Sequence, residues 1–164
     1  MQQVKQIREL EHVSSCHVVL EAFVRKDPAI RYFVSAQNQR LRIFPERDKT
    51  ATLFQLKFGC IAGMDRFPWF TLWWHGHVAR HCNSKMYLHQ YDEANERLRK
   101  DAIFMISPHL HAPGYFSLSV TLKPHSEPLY VRHCSSDLRI DAGHSNPSHI
   151  FWDDCKFVIH HIKV

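Results

Sequence analysis

The sequence predicts an all-β chain: a β-trefoil built from three pseudo-symmetric four-stranded repeats, twelve strands in all. Three observations predict it. One segment recurs three times without gaps, a second landmark recurs at the same interval, and every copy opens on an alternating apolar run. The recurring segment occupies residues 33–43, 78–88 and 130–140. Stacked, Arg80-His81-Cys82 falls on Arg132-His133-Cys134, and Leu41/Ile43 falls on Met86/Leu88 and on Leu138/Ile140. The second landmark reads Ala51-Thr52-Leu53-Phe54, Asp101-Ala102-Ile103-Phe104 and Asp154-Cys155-Lys156-Phe157. Its phenylalanines lie about 50 residues apart, which marks an internal repeat.

Each repeat holds four strand signals in order. The opening runs are residues 18–24, 70–74 and 115–122, where period-two alternation and β-branched or aromatic side chains favour strands. The segment leading into Arg-His, the Leu-x-Ile segment and the Phe-anchored segment follow. Three copies close on a pseudo-threefold axis as a short barrel capped by hairpins. Pro28, Pro45, Pro113, Pro124, Pro128 and Pro147 fall between strands, as loops require. In Trp73-Trp74, alternation sends one ring inward and the other outward. Residues 1–12 space Val4, Ile7 and Leu10 three apart, consistent with a turn or two of helix or a disordered arm. The expected organisation is one domain over 1–164, with an arm at 1–14 and repeats at about 15–62, 63–111 and 112–164.

Composition narrows the function. With 164 residues, 45% hydrophobic and 23% charged, the chain can bury a core and does not have the composition of a disordered one. The net charge is +5, but the basic residues are scattered, so no nucleic-acid partner is expected. No apolar run has signal-peptide or membrane-span length, so a cytoplasmic chain without a membrane span is expected, or a domain cut from a longer protein. Five cysteines (Cys16, Cys60, Cys82, Cys134 and Cys155) form no C-x-x-C pair and are expected as free thiols. His75, His77, His81 and Cys82 lie close together without a zinc signature, so no metal or other cofactor is expected.

At the Arg-His and Asp-x-x-Phe landmarks the chain resembles the arabinose-binding β-trefoil module of B-type α-L-arabinofuranosidases. That family repeats aromatic-Leu/Val-Arg-His, then Leu-x-Leu, then Phe-x-x-Asp-Ala-Thr-Phe. The resemblance runs from about residue 17 to 160. It implies a sugar-binding pocket at His81 with Asp101, and another at His133 with Asp154, each hydrogen-bonding a furanose. The chemistry suits the task, since a carboxylate accepts from two hydroxyls, an imidazole donates or accepts, and an aromatic ring covers an apolar sugar face. Tyr91 or Trp152 would supply the ring. Asp141 either extends the third-repeat site or serves as a turn residue. The first repeat has Ala36 and Ala51 at these stations and should lack a pocket.

The same residues have a structural reading. Each Asp could bind the Arg of its own Arg-His motif or cap a turn, and each His could bond a neighbouring loop. No catalytic set is recognisable, and Asp101 and Asp154 belong to different repeats, whereas glycosidase carboxylates stand about 5–9.5 Å apart. The expectation is a carbohydrate-binding trefoil that is not an enzyme. The alternative is an intracellular adaptor trefoil with a protein partner, cytoskeletal or pH-responsive given the 14 histidines.

Overall fold

The computed structural model describes residues 1–11, 15–58, 69–123 and 126–163, and along them the alternating runs are strands. The first repeat carries β2 (Ser15–Ala22), β3 (Tyr32–Gln37), β4 (Arg40–Pro45) and β5 (Phe54–Phe58). The second carries β6 (Trp69–Trp74), β7 (His77–Cys82), β8 (Lys85–Gln90), helix α2 (Glu96–Asp101) and β9 (Phe104–Pro108). The third carries β10 (Phe116–Val120), β11 (Leu129–Cys134), β12 (Asp137–Ala142), helix α3 (Ile150–Asp154) and β13 (Phe157–Ile162). Ahead of them lie β1 (Gln2–Gln3) and helix α1 (Arg8–Glu11). The fold is all-β, with thirteen strands and three short helices among the described residues. Cys60 and Pro124 lie outside those residues.

The pairings form a closed barrel. β2, β5, β6, β9, β10 and β13 each pair with the next, and β13 returns to β2. Its register repeats three times. Phe54, Phe104 and Phe157 pair with Val18, Phe70 and Phe116, and four residues onward Phe58, Pro108 and His161 pair with Phe70, Phe116 and Val18. The hairpins β3–β4, β7–β8 and β11–β12 meet at one end through Arg40↔Tyr87, Lys85↔Arg139 and Asp137↔Arg42. A larger circuit through these hairpins takes in ten strands. Because side chains alternate across a strand, this register sends equivalent residues of each copy inward together.

The interior follows from that alternation. Phe54, Phe104 and Phe157 are essentially fully buried, and Leu41/Ile43, Met86/Leu88 and Leu138/Ile140 join them in one cluster. Burying a phenylalanine of this kind contributes about 1.5–3 kcal/mol. Two satellite clusters hold the longer helices in place: Leu98 and Ala102 pack on Val78 beside Trp73 and Tyr91, while Phe151, Trp152 and Cys155 pack with Tyr130. α2 and α3 therefore lie against β7 and β11, and each ends on the aspartate of its landmark.

Several details depart from the sequence reading. The first opening strand begins at Ser15 rather than residue 18. Pro45 ends β4 opposite Tyr32, where its missing N–H costs nothing, instead of lying in a loop. The arm is anchored: Gln2 and Gln3 pair with His161 and His160, and Val4 and Leu10 enter the main core. Its three-residue apolar spacing gives one helical turn, and the free edge of β13 captures the rest. Trp73 is half-buried on Tyr91 and Trp74 is exposed, following the alternation.

The three hairpin turns share one backbone shape. Asn38-Gln39, Asn83-Ser84 and Ser135-Ser136 all have positive φ, from 50° to 71°. Paired left-handed residues give a two-residue turn whose twist matches the flanking strands, though none of the three pairs contains glycine. Cys16, Cys82, Cys134 and Cys155 are free thiols, and burial raises Cys16 to about 11.

Candidate functional site

In β7 and β11 the strand alternation turns the histidine of each Arg-His pair toward the core and the arginine toward the flanking helix. The structure brings His81 together with Asp101, and His133 with Asp154. In the second repeat Arg80 Nη2 lies 2.5 Å from Asp101 Oδ2, and His81 Nε2 lies 3.6 Å from Oδ1. Arg97 Nε approaches the same carboxylate at 3.7 Å from the helix surface. In the third repeat Arg132 Nη2 stands 3.4 Å from Asp154 Oδ2, and His133 Nε2 stands 3.7 Å from Oδ1. The imidazole–carboxylate distances exceed a hydrogen bond, so the arginine is the closer partner in both nodes. His133 Nε2 donates instead to the Phe23 carbonyl at 2.8 Å.

These nodes are mostly covered, with side-chain exposures of 11% for Arg80, His81 and His133 and 15% for both aspartates. Burial pushes His81 below the ordinary histidine range; Asp101 opposes this, while Arg80 and Arg97 add to it. The ring is therefore held neutral. Burial also raises Asp154 above the usual carboxylate range, partly offset by His133 and Arg132. At the first-repeat station Ala36 pairs with Leu41 as His81 does with Met86, and hydroxyls replace the ionic node. There Ser35 Oγ donates to the Thr50 carbonyl and contacts Thr52 Oγ1, and Lys49 Nζ donates to the Ala36 carbonyl.

A cleft of about 470 Å³ opens beside the third node, between β12, the loop after it and α3. Arg132, Arg139, Asp141, His144, His149 and Phe151 line it. Arg132 belongs to both places: it faces Asp154 below and Asp141 at 3.9 Å, and its guanidinium lies 5.3 Å over the Phe151 ring. Arg139 Nε also stands 3.9 Å from Asp141 Oδ2. His144 and His149 stack at 3.7 Å, nearly parallel. Each accepts a backbone N–H on Nδ1, from Asn146 and Phe151 respectively, so each neutral ring carries its hydrogen on Nε2. The cleft thus offers guanidinium and imidazole donors, one carboxylate acceptor and an aromatic wall.

The remaining sequence candidates separate. Asp141 lines the cleft. Tyr91 packs 4.7 Å from Trp73 within the second satellite cluster. Trp152 is buried, donates from Nε1 to the His144 carbonyl, and crowds Gly143, where an added Cβ would sit 3.1 Å from the indole. Trp152 therefore shapes the loop under His144 without lining the cleft. The sequence does not mark Arg139, His144 or His149 as site residues. Arg139 stood in the repeated Leu-x-Ile segment, whereas the two histidines had no periodic or motif signal. Among the described residues no three His, Cys, Asp or Glu side chains converge as a metal site, and no helix is long and apolar enough to cross a membrane.

No protein-family profile matches the chain, and no curated protein matches it significantly by sequence. Solved structures do match. A GH54 α-L-arabinofuranosidase soaked with a cyclic sulfate inhibitor superposes with a TM-score of 0.69 at 17% identity, over 90% of this chain and 31% of its own. An arabinofuranosidase complexed with arabinofuranosyl-α-1,2-xylobiose gives 0.68 at 16% identity, over 91% and 31%. SeviL bound to asialo-GM1 saccharide gives 0.56 at 10% identity, over 90% of this chain and 96% of that one. The chain spans about a third of the arabinofuranosidase chains and nearly all of SeviL. At these identities the shared feature is an all-β fold, one that occurs in proteins solved with saccharides bound.

Proposed function

We propose that the chain is a β-trefoil that binds carbohydrate without catalysing a reaction on it. The threefold register of barrel and hairpins supports the trefoil reading, with one domain and an arm at 1–14. The observation that carries the function is the junction at Arg132, which ties Asp141 and Asp154 to an open cleft rich in donors and aromatic rings. Sugar hydroxyls pair with such groups, and ring faces pack on aromatic walls. The principal site is this third-repeat cleft, with His133 and Asp154 behind Arg132. The second is the matching face at Arg80, where Tyr87, the register partner of Arg80, stacks on His89 at 4.9 Å. The cleft's lining contains one carboxylate, whereas acid–base glycoside hydrolysis uses two, so binding alone is proposed.

Calorimetry against a panel of mono- and oligosaccharides tests this. Binding by the folded chain should fall at least tenfold in Arg132→Gln, with no sugar released from glycoside substrates. A folded wild-type chain that binds no sugar, or an Arg132→Gln variant that binds undiminished, overturns the reading.

A further inference from the structure

The stations of the three repeats differ in a way that selects ligand chemistry. On the outward face of the second strand of each repeat's hairpin, the register equates Arg42 and Phe44 with Tyr87 and His89, and with Arg139 and Asp141. The second repeat thus presents stacked rings, and the third presents charge. Most carboxylates near the third station are engaged. Asp137 sits 2.8 Å from Arg42 Nε and 3.5 Å from Arg40 Nη2, and Asp154 faces Arg132 and His133. Among the described residues Asp141 is the carboxylate that faces Arg139, at 3.9 Å, beyond hydrogen-bond reach. Arg139 has 41% of its side chain exposed, and Lys85, directly across from it in the β8–β12 register, is exposed with no ion pair among the described residues. Arg139 therefore offers a partly exposed guanidinium at the cleft whose Nε is buried and, among the described residues, without a hydrogen-bond partner, with a second cation beside it.

We infer that the saccharide taken by this cleft is acidic, carrying a carboxylate or sulfate that seats on Arg139 while the sugar ring contacts Arg132 and the imidazole–phenylalanine wall. The inference rests on the carbohydrate-binding reading and adds the ligand class. A guanidinium pairs with an oxyanion through parallel charge-assisted bonds that a hydroxyl cannot match. Asp141 then acts as a selectivity element that repels the anion unless Arg139 and Arg132 hold it aside, so its removal has a diagnostic sign.

The test is calorimetry of the full chain with methyl glucuronide, methyl glucoside, glucose 6-sulfate and inorganic sulfate, at low and at moderate salt. Expected is at least tenfold tighter binding of glucuronide or sulfated glucose than of methyl glucoside, an advantage that shrinks with salt and disappears in Arg139→Gln. Whichever anionic sugar binds tighter identifies the group. Asp141→Asn should strengthen anionic-sugar binding severalfold, whereas a carboxylate serving a neutral sugar's hydroxyls would make the same change weaken it. Methyl glucoside binding as well as glucuronide, unaltered by Arg139→Gln, overturns the acidic-ligand inference and leaves carbohydrate binding standing. Inorganic sulfate binding as tightly as the sulfated sugar overturns the saccharide component. Binding of none of the four, while a neutral sugar of the wider panel binds, overturns the acidic-ligand inference alone; binding of no sugar at all overturns both.

Discussion

Replacing Asp101 by alanine should unfold the chain more readily, because it strands Arg80. That guanidinium is only 11% exposed, and among the described residues Asp101 is the carboxylate it faces. Removing one partner of a fully buried ion pair costs about 3–5 kcal/mol, mainly by leaving the other charge uncompensated. The node retains some solvent contact, and Arg97 loses only an exposed interaction, so about 2–3 kcal/mol is expected here. For a domain of this size that corresponds to a fall of about 4–12 °C in Tm. Urea titration and calorimetry would measure it. The double variant Arg80→Met/Asp101→Leu should recover most of the loss, since apolar side chains can replace a buried pair at little cost. Asp154→Ala should cost less, because its arginine lies farther away and burial already disfavours its ionised form. A loss under 1 °C for Asp101→Ala, or a double variant no more stable than the single one, would refute the view that this aspartate holds the scaffold charge.

Three further outcomes follow. Phe54→Ala, Phe104→Ala and Phe157→Ala should each cost about 3–5 kcal/mol in urea unfolding, and agree to within about 1 kcal/mol, because they occupy matching stations; one near-neutral member would break the equivalence. Changing Ser135-Ser136 to Asn-Gly should stabilise by about 1 kcal/mol, raising Tm by about 2–4 °C, since both positions are left-handed; an unchanged Tm would count against the turn assignment. His109 is buried, accepts the His111 N–H on Nδ1 and donates from Nε2 to the Trp152 carbonyl, and burial holds it below the ordinary value of 6.5. Below that value the unfolded chain binds the proton more readily, so this contribution is whole at pH 7.5 and is lost as pH falls toward the folded value. His109→Gln should therefore lose less stability between pH 7.5 and 5.5 than wild type, and equal losses by urea midpoint would contradict it.

Much of the architecture could be read from the sequence because its strands alternate strictly and their anchors do not drift. Met86/Leu88 and Leu138/Ile140 each keep two inward positions two apart, and Phe104 and Phe157 each begin a strand, so aligning the copies aligned the register. What was not legible depends on short-range geometry. α2 and α3 span six and five residues, too few for a helical period, although Asn95 capping the Leu98 N–H was a visible start signal. α3 is capped by His149, a residue with little capping signature. The turns lack the glycine that would announce them. At the site, the Arg-His and Asp landmarks lie beside each other, with the arginine the closer partner of each aspartate. Tyr91 and Trp152 look like ring cover in sequence but are used as packing. His144 and His149 reach the cleft only through local turns at Asn146 and His149, which no spacing rule encodes.

The way the barrel closes also bears on its synthesis. β13 supplies the partner that β2 and the extended arm need along six and two residues, and it is the last of these strands to leave a ribosome. Until then the earliest strand of the ring waits with bare amides and carbonyls along one side, a template that a second nascent chain could occupy. Vulnerability to mispairing should thus be concentrated in the interval before β13 emerges, and strand exchange between neighbouring chains is the failure this design must outrun.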